Sequence, residues 1–216
     1  MTPYRRADIT LDQRVGLRTA ATRLQREFDA TFNVETIEQF LHSSYDQFAG
    51  RATIANFLPL LAERFARQRL HALARIEGHT DGRPVVLFLC VHNAGRSQMA
   101  MGFFQHHAGE NAIAWSGGSE PSDQINPAAI AAMAERHIDI AREYPKPWTD
   151  EIVRAADVII TMGCGDACPV FPGRRYEEWV LDDPAGQDVI GVRPIRDDIE
   201  RRVLKLLVEL NVPVST

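Results

Sequence analysis

The order of apolar and polar positions divides the chain near residue 80. Up to that point the apolar residues recur at three- and four-residue spacing, the period of a helix with one buried face. In LDQRVGLRTAATRLQREFDATF, Val15, Leu17, Ala21, Leu24 and Phe28 fall near one face. Asn33-Val-Glu-Thr starts a second helix, striped by Ile37, Phe40, Leu41 and Tyr45. A third runs from about Ala55 to Glu77 with Leu58, Leu61, Phe65, Leu70 and Leu73 inward. Short connections between three amphipathic helices predict a small three-helix bundle as a separate domain over residues 1–80. His42 and His71 lie on or near its apolar faces and read as packing or surface side chains.

Beyond GHTDGRP (78–84), a linker punctuated by Gly78, Gly82 and Pro84, the period changes. Pro84 to Cys90 is a continuous apolar run, as in a central parallel strand buried on both faces. Further strands fit Ala112–Ser116, Asp157–Met162 and Arg175–Val180. Helices fit Ser97–His107, Pro127–His137, Asp150–Ala156 and Ile195–Leu210. Strands alternating with helices predict an α/β domain over residues 81–216, a four-stranded parallel sheet flanked by helices.

Composition narrows the function. No apolar run reaches the roughly 18–20 residues of a membrane span, and the N-terminus lacks the apolar core of a secretory signal, so a cytoplasmic protein is expected. The net charge is -5, with a slight basic excess in residues 1–80 and an acidic remainder. That weak basic excess reads as a solvated face, and no nucleic-acid partner is expected. The three cysteines, Cys90, Cys164 and Cys168, are too few and odd in number for a disulfide framework, which points to catalytic, redox or metal chemistry.

Cys90 ends the predicted central strand, and the loop after it leads into a helix. At such a strand end, free helix N-terminal amides and the helix dipole favour an anion, whether a thiolate or a tetrahedral oxyanion. Arg96 offers a planar fork for two oxyanion oxygens. Ser97 can donate a hydrogen bond to the sulfur. Asn93 tolerates a left-handed backbone and Gly95 adds freedom, so a tight loop with inward amides can form over Val91, His92, Asn93, Ala94 and Gly95.

CVHNAGRSQMA resembles the phosphate-loop signature of low-molecular-weight protein tyrosine phosphatases and, more closely, of the arsenate reductases built on that fold. SGGSEP (116–121), INPAAIAAMAERHIDI (125–140) and WVLDDPAG (179–186) extend the resemblance over roughly residues 84–212. It implies that residues 91–97 bind the oxyanion, that Cys90 is the nucleophile, and that Asp183, the aspartate before proline, is the general acid. Asp182 is the neighbouring alternative.

TMGCGDACPV (161–170) follows the third strand and emerges at the same sheet edge as Cys90. A phosphatase needs one cysteine, whereas thiols that leave as a disulfide supply the two electrons of a reduction. The resemblance implies a relay. Cys90 attacks arsenate, Cys164 attacks Cys90 as arsenite leaves, and Cys168 attacks Cys164; thioredoxin then reduces the last disulfide. No bound cofactor is implied. Better-known relatives separate the later two cysteines by six residues and this chain by three, so the order of Cys164 and Cys168 stays open. Zinc on that pair is the rival, without a nearby His or Cys to complete four ligands.

Some relatives carry Glu, part of a cation site, where this chain has Met101, and an acidic residue of theirs falls at Lys146. Lys146 is then either an ammonium in place of the ion or a surface side chain. Arsenate reduction is the favoured expectation, because Ala185-Gly186 stands where phosphatase relatives usually have aromatic residues after Asp-Pro. A tyrosine phosphatase is the alternative, and an arsenic-sensing regulator a third. Thioredoxin is favoured over mycothiol or glutaredoxin as donor, and the helical extension suggests a homodimer.

Overall fold

The computed structural model describes residues 9–50, 57–163 and 170–215. Its chain divides into two units, Met1–His79 and Thr80–Thr216. The first holds α1 (Leu11–Phe28), α2 (Val34–Ala49) and α3 (Leu58–Ile76). Thr10 and Gln13 satisfy each other's backbone N–H at the start of α1, a reciprocal cap. Asn33 Oδ1 accepts from the Thr36 amide at the start of α2. Pro59 sits in the first turn of α3, where a missing N–H leaves no helical acceptor unserved.

Leu17, Ala20, Leu24, Phe28, Ile37, Leu41, Tyr45, Phe48, Phe65 and Leu70 fill the core of this unit. Two expected positions of α1 are corrected: Val15 is 56% exposed and Ala21 only partly buried. Gly16 makes the close approach instead, since a Cβ there would stand 2.9 Å from Pro59 Cβ. The inward stripe is therefore rotated toward Gln13, Leu17, Ala20 and Leu24. Leu61 and Leu73 are partly buried, because the smaller Ala62 and Ala66 take the inner face of α3. Glu63 is buried there as well, held by Arg23 at 2.6 Å and Arg67 at 2.9 Å.

The second unit runs β1 (Val85–Cys90), α4 (Arg96–Ala108), β2 (Ile113–Gly118), α5 (Pro127–Ala134), α6 (Asp150–Ala155), β3 (Val158–Met162), β4 (Arg175–Glu178) and α7 (Val189–Glu209). Its strands form one sheet in the order β2-β1-β3-β4, and every pair is parallel. The expected α/β class and four-stranded parallel sheet are thus present. β1 is central and buried throughout, which is why its sequence does not alternate. Phe88 packs on Phe104 of α4 and on Trp179 after β4, with ring centroids 5.8 and 5.9 Å apart.

Element ends differ where tertiary contacts override local pattern. β2 continues past Ser116 through Gly117 and Gly118, which lie opposite Leu89 and Cys90. β4 ends at Glu178, and Trp179 turns into the core. α5 stops at Ala134, and His137 takes a left-handed φ of 60° as the chain turns away. α7 starts at Val189, earlier than the expected Ile195, because Asp188 caps it through the Gly191 amide and Val192 is buried; Pro194 lies inside the helix. Among the described residues no helix is long and apolar enough to cross a membrane.

Candidate active site

Cys90 is the last residue of β1 and is 2% exposed. The chain then turns through Asn93, whose φ of 47° brings its amide back to donate to Cys90 Sγ at 3.2 Å. Ser97, on the first turn of α4, places its Oγ 3.0 Å from the same sulfur. The first intrahelical bond of α4 runs from the Met99 amide to the Gly95 carbonyl, so the preceding amides have no helical acceptor and face the anion-binding end of the helix.

The direction of the Ser97–Cys90 bond follows from its neighbours. The Lys146 main-chain amide donates to Asn93 Oδ1 at 3.0 Å, and Gln98 Nε2 donates to it at 3.1 Å. Asn93 Nδ2 must therefore face Ser97, to which it donates at 2.9 Å. Ser97 Oγ is an acceptor there, so its single proton is free to point at sulfur. Two donors thus converge on the Cys90 sulfur.

Arg96 opens α4 and donates from Nη2 to Asp183 Oδ2 at 3.2 Å. The Asp183 carboxylate also accepts from the Ala185 amide, and the Asp183 carbonyl accepts from Gln187 Nε2. Pro184 lies against the loop: a Cβ on Gly95 would stand 2.6 Å from Pro184 Cγ. Cys90, His92, Gly95, Arg96, Asn126 and Asp183 are among the residues lining a cleft of about 710 Å³. The structure therefore brings Cys90, Arg96 and Asp183 to one cleft, and Asp182 is not among its lining residues.

The remaining loop residues divide by task. The Val91 carbonyl accepts from Glu120 and the Ala94 carbonyl from Asn126, which fixes the outside of the loop. His92 is exposed at the cleft, with Nδ1 3.1 Å from the Glu120 carbonyl. Gly163 has a φ of 74°, and a Cβ there would lie 3.3 Å from Arg96 Nη1, so β3 leaves the sheet beside the guanidinium. Cys164 and Cys168 follow it but lie outside the described residues. Among the described residues no group of three His, Cys, Asp or Glu side chains stands where it could hold a metal.

Lys146 corrects an expectation: it is not a surface side chain. It is 2% exposed, with Nζ 3.3 Å from Ser116 Oγ and 4.8 Å from the centroid of the Tyr144 ring. Its main chain is tied to the Gly118 amide as well as to Asn93, so the whole residue is drawn under the loop. Met101 is buried too. Sequence reasoning also passed over Gln98, Gly118 and Asn126. A Cβ on Gly118 would stand 2.5 Å from the Val91 carbonyl oxygen. For Asn126 a signal existed: Asn followed by Pro is the pattern of a helix cap with proline at the first position.

Residues 85–215 match the family model described as low molecular weight phosphotyrosine protein phosphatase. Residues 17–74 match one described as protein-tyrosine-phosphatase-like, N-terminal domain. The solved thioredoxin-dependent arsenate reductase of Corynebacterium glutamicum is 40% identical, with a TM-score of 0.80 over 90% of this chain and 96% of that one. A putative arsenate reductase of Halobacterium salinarum is 35% identical over 57% of this chain and 91% of its own length. An arsenate reductase of Staphylococcus epidermidis is 37% identical over 56% of this chain and 93% of its own length.

Proposed function

We propose, for a chain that belongs to the low molecular weight phosphotyrosine protein phosphatase family, the activity of an arsenate reductase. The observation that carries this reading is the convergence of Asn93 and Ser97 on Cys90 in a cleft shared with Arg96 and Asp183. The Cys90 thiolate attacks arsenic and forms a sulfur–arsenic bond, while Asp183 gives a proton to the departing oxygen, which leaves as water. Arg96 and the amides of residues 91–97 hold the remaining oxygens. The Cys164 thiolate then attacks Cys90 sulfur. A disulfide forms, the sulfur–arsenic pair returns to arsenic, and arsenite departs with the two electrons the thiols have lost. Cys168 attacks Cys164 and frees Cys90, and thioredoxin reduces the Cys164–Cys168 bond. This thiol chemistry belongs in the reducing cytoplasm.

The cleft supports arsenate over a phosphotyrosine. Past Asp183 it is lined by Ala185 and Gly186, and no Phe, Tyr or Trp is among its described lining residues. Lys146, buried beside Ser116 and Asn93, supports the reading in which its ammonium takes the place of a bound cation. For the helical unit the reading is self-association through α1–α3, where Leu11, Val15, Phe57 and Leu60 are exposed; light scattering of Val15→Glu against the parent chain tests it.

Arsenate-dependent NADPH oxidation with purified thioredoxin and its reductase tests the activity. Turnover is expected with that couple, and the mycothiol and glutaredoxin couples run beside it identify the donor. Hydrolysis of p-nitrophenyl phosphate without arsenate turnover under any donor would assign the phosphatase instead.

A further inference from the structure

Asn126 touches three parts of the cleft at once. Its backbone N–H donates to the Ala94 carbonyl at 2.9 Å, on the outside of the oxyanion loop. Its Oδ1 caps α5, accepting from the amides of Ala128 at 2.8 Å and Ala129 at 3.3 Å. With the oxygen end committed to two donors, the amide can present only Nδ2 on the other side. That nitrogen donates to the Pro184 carbonyl at 3.0 Å.

Pro184 follows Asp183 directly, and its ring rests on Gly95, where no side chain would fit. The Asp-Pro segment is therefore fixed from below by Gly95 and at its carbonyl by Asn126. Asp183 reaches Arg96 from a main chain that Asn126 holds. The cap makes the nitrogen's direction unambiguous, and the backbone bond to Ala94 ties the latch to the same loop that surrounds Cys90.

We infer that Asn126 is a positioning residue that sets the distance of Asp183 from an oxyanion on Cys90, by latching Pro184 to the oxyanion loop. The inference rests on the arsenate reductase reading for its kinetic consequence. The latch itself is independent of that reading. An oxyanion is bound by Arg96 and loop amides, which the latch does not supply, so its loss acts on proton delivery rather than on binding.

Serine and aspartate both cap helices as well as asparagine does; an ionised aspartate has no donor, and serine has one hydroxyl, already at the cap and one atom shorter in reach than Nδ2. Asn126→Ser and Asn126→Asp therefore keep the cap and remove the latch, and two variants guard against a folding failure in one. Arsenate kcat is expected to fall about tenfold, a part of the roughly 10²–10⁴-fold that general acid–base catalysis contributes, because the acid is displaced and not removed. The dissociation constant of the uncharged Asn126→Ser for inorganic phosphate, read by calorimetry, is expected to stay within about twofold, and that of Asn126→Asp is left aside because its new charge repels the anion. Placed on Asp183→Asn, either change is expected to cost nothing further, because the group it positions is already gone. Hydrogen exchange of residues 183–187 is expected to quicken while that of 127–134 stays as in the parent. Losses that multiply with Asp183→Asn, a phosphate affinity of Asn126→Ser that falls with kcat, or unchanged exchange in 183–187 would overturn the inference. A parent chain that fails to turn over arsenate defeats the functional reading alone, and the exchange measurement then still decides the latch.

Discussion

The main-chain amide of Lys146 donates to Oδ1 of Asn93, and that bond sets the direction of the hydrogen bonds that lead from it to the Cys90 sulfur. Asn93→Asp keeps an acceptor for Lys146 and Gln98 but cannot donate to Ser97, so the Ser97 proton turns away from sulfur. A hydrogen bond to a charged group contributes about 1.5–3 kcal/mol, so arsenate turnover and the alkylation rate of Cys90 by iodoacetamide should both fall about tenfold to a hundredfold. Rates equal to the parent's would mean the Ser97 proton does not serve the thiolate.

Gly118→Ala tests the seat of the loop. The added methyl would stand 2.5 Å from the Val91 carbonyl oxygen and 3.0 Å from Asn93, both at the base of the turn that carries the amides. Overpacking of this kind costs about 1–3 kcal/mol. Urea unfolding should show a loss of that size, accompanied by weaker phosphate binding.

Acid should loosen the contact between α5 and α7. Arg193, and then Arg196, hold the Glu135 carboxyl at about 2, below its ordinary 4.5. Because the folded value is the lower one, the stabilisation is complete above the unfolded value and is lost as pH falls toward the folded one. The urea midpoint of the parent should therefore exceed that of Glu135→Gln at neutral pH. The difference should shrink between about pH 5 and pH 2, and a difference that grows on acidification would contradict the assignment.

For the relay, Cys168→Ser should complete one arsenate attack and stop with Cys90 joined to Cys164, the bridge that peptide mapping by mass spectrometry detects. Cys164→Ser should stop before that bridge. A Cys90–Cys168 bond in Cys164→Ser, with turnover retained, would reverse the order, and normal turnover of both variants with a small thiol would leave Cys90 as the one required cysteine.

The loop after β1 was legible because its determinants are local. An apolar run, a left-handed-tolerant Asn93, Gly95 and the arginine that opens α4 all fall within a few residues, and the parallel sheet follows from alternating periods. What stayed hidden arises where distant segments meet. Lys146 is polar by composition yet buried, since Ser116 and Tyr144 receive its ammonium and Asn93 binds its amide. Glu63 carries a charge on an inward position of α3, and only the three-dimensional meeting with Arg23 and Arg67 accounts for it. Val15 and Ala21 fit the period of α1 about as well as Gln13 and Ala20, and the contact of Gly16 with Pro59 chooses between them. Asn126 was passed over, because the carbonyl to which it donates is 58 residues away.

Cys90 has 2% of its surface open, at the wall of a cleft. A tetrahedral ion can enter such a space, but another folded protein cannot bring its own sulfur to the end of β1. On the proposed relay, concealment separates the two clients of the site by size: the ion is served inside, and the protein reductant is left to a thiol other than Cys90. It also shields the Cys90 sulfur from stray disulfide exchange with the thiols of other proteins, while small reagents can still reach it.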